Sequence, residues 1–425
     1  MTATETRTGP VAGREDQRGT SRLVGLVWAL LVVNTLGSLG VETIVPIPRQ
    51  LLQLITMGSL CVAFVLALAL NRRLRFRPSV FLLLLTALLV VSVVSSLFLE
   101  SGLGALFRCA RLTVFVATLW LLTRWWGTGM DLVRHHIRAL AGVLALVALG
   151  LVIAPGTAMP ADFDGRLVGV VWPITATQVA DYAAVVAGLA VVLWLSRSCS
   201  GRSAFFVVVP AMVLLLLTHT RTATVGLLAA VPVAGLSLAL TNARARKAVG
   251  AITAAGAVLA IAFSTALTTW FQRGQDADAL SNLTGRQYVW DKLLAEDRSL
   301  REQLLGVGLT DKSFGGLPID STWLAVYHEQ GLVGVTIVAL MMLTLFFAAF
   351  TRAPSPQRAC AIFLIVYLMI ASYTQVGLGD VTGYLLHFVV AAALLAAPPA
   401  TTPPGLGKGR QADGLSANPR RAGLA

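Results

Sequence analysis

Twelve apolar runs separated by short polar connections decide what this chain can become. They fall at 23–39, 51–70, 80–99, 105–122, 137–153, 176–195, 204–217, 223–240, 248–268, 322–350, 361–377 and 381–397. Most reach the roughly 20 residues that an α-helix needs to cross a bilayer; the run at 204–217 is short. Hydrophobic residues make up 56% of the chain and charged residues only 12%, about half the charge of a soluble domain. Lipid must therefore cover much of the surface. The expected fold class is all-α, a polytopic transmembrane bundle of about 12 helices.

The basic residues orient that bundle. Arg7, Arg14, Arg18 and Arg22 precede the first run. The even-numbered connections carry Arg72, Arg73, Arg75 and Arg77; Arg124, Arg134 and Arg138; Arg197 and Arg202; Arg244, Arg246 and Lys247; Arg352 and Arg358. Lys408, Arg410, Arg420 and Arg421 follow the last run, and the short odd-numbered connections carry few basic residues. Positive residues stay on the cytoplasmic side, beside anionic lipid. Both termini are therefore expected in the cytoplasm, in a multi-pass protein of the cytoplasmic (inner) membrane. The same distribution argues against nucleic acid as a partner despite a net charge of +13, because no basic stripe is interleaved with aromatics on a polar surface. The expected organisation is a disordered cytoplasmic tail over 1–22, a membrane domain over 23–397 and a second disordered tail over 398–425. Cys61, Cys109, Cys199 and Cys360 form no CxxC pair, so the spacing implies neither a disulfide frame nor a zinc site.

Two odd-numbered connections are long: 154–175 and, larger, 269–321. The second mixes acids and bases and carries Val289, Trp290, Leu293 and Leu294 at helical spacing after Arg286. That pattern predicts a short amphipathic helix at the membrane surface. A polar loop of this length between spanning helices is more often functional than a mere connection.

The residues that carry most information are arginines on the outer side, against the topology bias. They are Arg166 in the first long loop, Arg221 in Thr218-His219-Thr220-Arg221-Thr222, Arg286 in the large loop, and Arg108 with Arg111 in the fourth run. The i,i+3 spacing of the last two sets them on one helix face. Two readings are open: snorkelling to headgroups or pairing with loop acids, or recognition of a phosphate or diphosphate by planar guanidinium forks. At the start of the tenth run, Asp320 and Ser321 are either helix N-caps or, for Asp320, a carboxylate able to take a proton from an acceptor hydroxyl. His219 reads as a structural histidine or a base. His328 is expected to pair with Glu329 or another helix, Asp181 with an arginine, and His135 and His136 to lie in the cytoplasm without a special role. No His/Cys/Asp cluster has metal spacing, so no metal and no other cofactor is expected, and phosphate chemistry would fall to arginine.

Taken together these positions resemble the O-antigen ligase and O-antigen polymerase family of envelope glycosyltransferases. The resemblance rests on Arg166, Thr220-Arg221-Thr222, Gly285-Arg286 with Trp290, Gly306-Val307-Gly308, Asp320-Ser321-Thr322-Trp323-Leu324 and Glu329-Gln330-Gly331-Leu332-Val333-Gly334, in that order. Many ligases of the family carry His-Asn or His-Ser where this chain has Asp320-Ser321, which tilts the expectation toward a polymerase. The resemblance implies a metal-independent, inverting glycosyltransferase acting on the outer face. Its partners would be a polyprenyl-diphosphate-linked glycan donor, a glycan or lipid-glycan acceptor, and other envelope polysaccharide assembly proteins. It implies Asp320, Arg221 and Arg286 as catalytic residues, with Arg166, Arg108, Arg111, Ser321 and His219 binding substrate. The competing expectation is a transporter or flippase of a lipid-linked or anionic substrate, which would call for internal repeats and for charged or helix-breaking features near the bilayer midplane.

Overall fold

The computed structural model describes residues 11–37, 40–98, 102–127, 129–239, 243–262, 265, 286–310 and 312–396, and they are overwhelmingly helical. In chain order the first ten helices are α1 (Val11–Asn34), α2 (Arg49–Leu70), α3 (Val80–Phe98), α4 (Gly102–Leu122), α5 (Asp131–Ile153), the single turn α6 (Pro155–Ala158), α7 (Ala176–Leu195), α8 (Gly201–Leu217), α9 (Arg221–Ala239) and α10 (Ala243–Ala262). After the undescribed stretch come α11 (Arg286–Ala295), α12 (Leu300–Leu305), a two-stranded hairpin (β1, Ser313–Phe314; β2, Leu317–Pro318), α13 (Thr322–Thr351), α14 (Pro356–Ala371) and α15 (Gly383–Leu395). Among the described residues seven helices are long and apolar enough to cross a membrane, and four shorter ones are apolar as well. The fold is thus an all-α, multi-pass membrane architecture. The helix that begins at Val11 takes in part of the 1–22 stretch expected to be unstructured. The 398–425 tail, the first part of the large loop and the end of the 248–268 run lie outside the described residues.

The bundle is apolar on both its inside and its outside. Leu54, Val65, Val152, Phe206 and Phe347 are exposed, an outward apolar face that only lipid or a partner can cover. Inside, α7 is the central helix: nearly all its residues are buried, and α5, α8, α9 and α14 pack around it. Close approach is set by glycine. A Cβ on Gly188 of α7 would lie 2.0 Å from the Phe363 ring, and one on Gly226 of α9 would lie 2.9 Å from the Tyr367 ring. Small residues at such crossings let backbones approach where lipid gives no hydrophobic drive between helices. Hydroxyls in the spans bond back to their own helix, as Ser92 Oγ does to Leu88 O and Thr118 Oγ1 to Val114 O, which removes the cost of a lone donor in hydrocarbon.

The 322–350 run, expected as one helix, is two helices joined at Gly331, whose φ of 63° and ψ of −164° are not helical. A break of this kind strips carbonyls of their helical partners. Here the loop after α12 replaces them: Val307 N donates to His328 O at 2.9 Å and Gly308 N to Glu329 O at 3.0 Å. The docking is glycine-dependent on both sides. Gly306 has φ of 74°, and a Cβ there would lie 2.3 Å from Gln330 N; a Cβ on Gly331 would lie 2.3 Å from the Leu304 carbonyl carbon. The Gly306-Val307-Gly308 and Gly331 motifs, distant in sequence, are therefore two halves of one joint.

Gly306→Ala and Gly331→Ala are expected to destabilise the protein by at least about 1–3 kcal/mol each, the typical cost of a strained backbone conformation. Limited proteolysis between Ser299 and Thr310 should accelerate in both variants. Gly142→Ala, at a helical site with open space around it, is the control and should leave the unfolding midpoint within a degree or two of wild type; equal behaviour of all three would refute the joint.

Candidate functional site: two contiguous clefts at the loop-rich end

One end of the bundle carries the 154–175 segment and the 286–321 segment, and two clefts open there. The first, of about 220 Å³, is walled by Gln178 and Asp181 of α7, by Gln375 and Thr382 from the α14–α15 connection, and by Arg286 and Asp320. Its geometry begins with the start of α7. Thr175 Oγ1 accepts from Gln178 N while Gln178 Oε1 accepts from Thr175 N, a capping box that fixes this first turn. The α11 helix follows Arg286 as expected. It buries Val289, Trp290 and Leu293 against Ile319 and Ala325, whereas Leu294 is exposed. That packing delivers Arg286 to Asp320, with Nε donating to Oδ2 at 3.0 Å. Both partners are partly exposed.

Helix capping by Asp320 or Ser321 does not occur. Ser321 occupies the N-cap position of α13 without a side-chain cap bond, and Asp320 turns to Arg286 instead. The start of α13 is held by Thr322, whose amide donates to Ser372 O at 3.0 Å and whose hydroxyl donates to Gln375 O at 2.5 Å. These bonds tie Asp320 to the segment that forms the opposite wall.

Arg166 acts on the turn that presents Arg221. Its Nε donates to Thr218 O at 3.0 Å and its Nη2 to Thr220 Oγ1 at 3.1 Å. His219 has a left-handed φ of 51° and closes the end of α8, so its backbone has a structural role. Arg221 is the first residue of α9, and Arg286 is within electrostatic reach of both Arg166 and Arg221. Burial, then Arg286, lower the pKa of Arg166, while Asp164 and Asp320 act against that. Three of the five sequence-selected arginines thus form one group with Asp320.

The other two lie elsewhere. Arg108 and Arg111 line a second cleft of about 550 Å³ together with Arg49 and Lys312. Its rim includes Leu52, Met57 and Phe107, and Phe107 is 52% exposed. Lys312 reaches the cleft because Gly315 and Gly316, both with positive φ, turn the chain between β1 and β2. Its Nζ lies 3.6 Å from Asp380 Oδ2. Burial alone would raise the Asp380 carboxyl, but Lys312 and Arg111 outweigh it and hold it below the usual aspartate range. Arg111 Nη2 donates to the Asn34 carbonyl, while its Nε is buried with no hydrogen-bond partner among the described residues. Gln178 and Thr382 line both clefts, so the two are contiguous.

Two expectations are corrected. Among the described residues Asp181 pairs with no arginine: Tyr367 Oη donates to its Oδ1 and His387 Nε2 donates to its Oδ2, each at 2.9 Å. His136 is buried, not a cytoplasmic bystander, and contacts His387 at 2.8 Å. His328 also meets the loop residue Arg298, whose Nη2 donates to its Nδ1 at 2.8 Å. Arg49, Lys312, Asp380, Gln178 and His387 escaped sequence reasoning; an acid between Gly379 and Thr382 at the mouth of an apolar run was the one available signal. Compared with known proteins, the chain matches no family model and no curated protein.

The two ion pairs should behave differently. The Arg286–Asp320 pair is partly exposed, and a double-mutant cycle on thermal unfolding with Arg286→Ala and Asp320→Ala should give a coupling below about 1 kcal/mol. Lys312→Met leaves the buried Asp380 with less compensation, and its cost should be several times larger. Because the folded-state pKa of Asp380 is depressed, its contribution is present above the unfolded value and lost as pH falls through the lower folded value. Acid unfolding of Lys312→Met should therefore set in at higher pH than in wild type, a shift readable by circular dichroism in detergent.

Proposed function

We propose that this chain is a membrane glycosyltransferase of the O-antigen ligase and polymerase kind, transferring or polymerising glycan from a polyprenyl-diphosphate-linked donor on the outer face of the cytoplasmic membrane. The observation that carries this reading is the pair of contiguous clefts with unlike chemistry. One offers Arg49, Arg108, Arg111 and Lys312 beside an apolar rim, which suits a diphosphate with its lipid tail. The other offers amides, hydroxyls and carboxylates beside Arg286, which suits a sugar. They meet at Gln178 and Thr382, where a bond between the two halves of such a donor would lie. The sequence resemblance from Arg166 to Gly334 supports the same reading, as does the placement of basic residues in the sequence, from which about twelve spans with both termini in the cytoplasm are expected and this end would lie outside.

In this mechanism the acceptor hydroxyl attacks the anomeric carbon from the face opposite the diphosphate. Asp320 acts on the acceptor hydroxyl, and Arg286 fixes Asp320 while adding positive charge. The leaving diphosphate gains negative charge as the bond breaks, and guanidiniums already in place stabilise it without reorganising. Arg221 and Arg166 extend that positive field, and Ser321 and His219 flank the acceptor side. Loss of one pre-placed donor of this type typically costs about 10²–10³ in rate.

A transport function draws on two specific observations: the break in α13 at Gly331, and the Asp181–His387 pair inside the bundle. Both are features that carriers use. One experiment separates the readings. Proteoliposomes holding wild type, Arg221→Ala or Asp320→Ala receive a polyprenyl-diphosphate oligosaccharide and a glycan acceptor. Transfer or chain growth is expected with wild type and should fall by two orders of magnitude or more in both variants. Donor that crosses the bilayer unchanged, with no glycan product, would replace the enzyme by a flippase.

A further inference from the structure

The wall of the first cleft contains a second carboxylate with a support of its own. Asp181 is 5% exposed and sits on α7, little more than a turn from the helix start. A carboxylate at such depth is expensive unless every lone pair toward the protein is used. Asp181 receives Tyr367 Oη on one oxygen and His387 Nε2 on the other. Behind His387 the chain of bonds continues to His136 and then to Trp28, whose Nε1 donates to His136 Nδ1 at 3.0 Å.

Trp28 fixes the direction of the whole chain, because an indole N–H only donates. His136 Nδ1 must accept, so His136 is neutral and carries its proton on Nε2. That proton is donated to His387 Nδ1, which makes His387 neutral in turn, with its proton on Nε2 directed at Asp181. Every donor therefore points toward the cleft. The chain is no inward proton path, since Asp181 faces an N–H and not a lone pair, and the far end is closed by an indole. Its effect is to orient one carboxylate and hold it with neutral dipoles. The other titratable groups around it are Tyr182, whose ring packs edge-on to His387, Tyr384 on α15, and, lining the same cleft, Arg286 and Asp320. Gly383 gives Tyr182 its place, since a Cβ there would lie 2.7 Å from the Tyr182 ring.

Asp320 stands in a different electrostatic position. Its charge is balanced by the Arg286 guanidinium at 3.0 Å, whereas among the described residues Asp181 is bonded by neutral donors, Tyr367 and His387. We propose that Asp181 is the catalytic residue that accepts the proton of the attacking hydroxyl, with His387, Tyr367 and, behind them, His136 as its positioning residues; this inference rests on the transfer reading above. The step balances. The acceptor oxygen forms its bond to the anomeric carbon, the bond from that carbon to the phosphate oxygen breaks with its electron pair leaving on the diphosphate, and the hydroxyl proton ends on Asp181. Asp320, held by Arg286, is then the group that binds and aims the acceptor.

The test is steady-state transfer by the full-length protein in proteoliposomes, with a polyprenyl-diphosphate oligosaccharide as donor and a glycan acceptor. Asp181→Asn should lower kcat by roughly 10²–10⁴-fold, the usual range for loss of a positioned proton-transfer group, with acceptor KM within about threefold of wild type. Asp320→Asn should do the reverse and raise acceptor KM more than it lowers kcat. Tyr367→Phe removes one donor and leaves the carboxylate in place; it should lower kcat several-fold at constant KM, and it decides the matter if Asp181→Asn does not fold. His387→Gln keeps an N–H for Asp181 and should recover a good part of the kcat lost in His387→Ala, which a purely space-filling role would not produce. Wild-type transfer with unchanged kcat in Asp181→Asn, or in Tyr367→Phe where the first is unfolded, overturns the role of Asp181 and leaves the transferase standing. Absence of transfer by wild type overturns both.

Discussion

A carboxylate buried in an apolar bundle has to be surrounded by donors, and much of the architecture around α7 follows from that requirement at Asp181. Tyr367 on α14, His387 on α15, His136 on α5 and Trp28 on α1 all take part in satisfying it. Four helices distant in sequence are thereby set in register with a fifth. Apolar packing alone is a weak source of specificity when lipid tails are as apolar as leucine. A directed chain of polar bonds, each with one permitted donor, specifies one arrangement and penalises the alternatives.

The large loop does comparable work at the bundle's end. Its described part brings three charged residues to the clefts by three devices: a packed amphipathic helix for Arg286, a Gly-Gly hairpin for Lys312, and the anchored start of α13 for Asp320. The break at Gly331 supplies the dock on which the loop's middle rests. Glu329 shares in it, with Oε1 accepting from Thr310 N at 3.0 Å. A continuous helix would have used the carbonyls of His328 and Glu329 for itself and left the loop without a partner.

Local signals in the sequence were read correctly where the physics is local. Apolar runs became helices, the spacing after Arg286 became α11, and the Arg286–Asp320 encounter was foreseeable because both flank one loop. What the sequence concealed was long-range or depended on a single backbone angle. His387 is 206 residues from Asp181 and 251 from His136, and one histidine in an apolar run says nothing of its partner. The run from 322 to 350 reads as one span because its hydropathy continues through Gly331; only the left-handed φ there, with the facing Gly306, divides it. The five arginines were selected as a set, yet Arg108 and Arg111 line the second cleft while Arg286 lines the first with Arg166 and Arg221 in its electrostatic reach, a separation that follows from helix packing and that no pairwise spacing encodes.

That division has a physical consequence. Spread over one surface, these cations would repel each other and be screened by water and salt. Gathered as two groups, each beside at least one carboxylate, they stay partly compensated. Asp380 offsets part of the charge of Arg111 and Lys312, and Asp320 part of that of Arg286. In the second cleft four cations, Arg49, Arg108, Arg111 and Lys312, face the single acid Asp380, so an anionic group entering there meets net positive charge at fixed positions and in reduced dielectric, where such charge acts most strongly. Among the described residues the buried Arg111 Nε has no hydrogen-bond partner, so part of the cost of placing this cation beside Asp380 is a guanidinium N–H left unsatisfied.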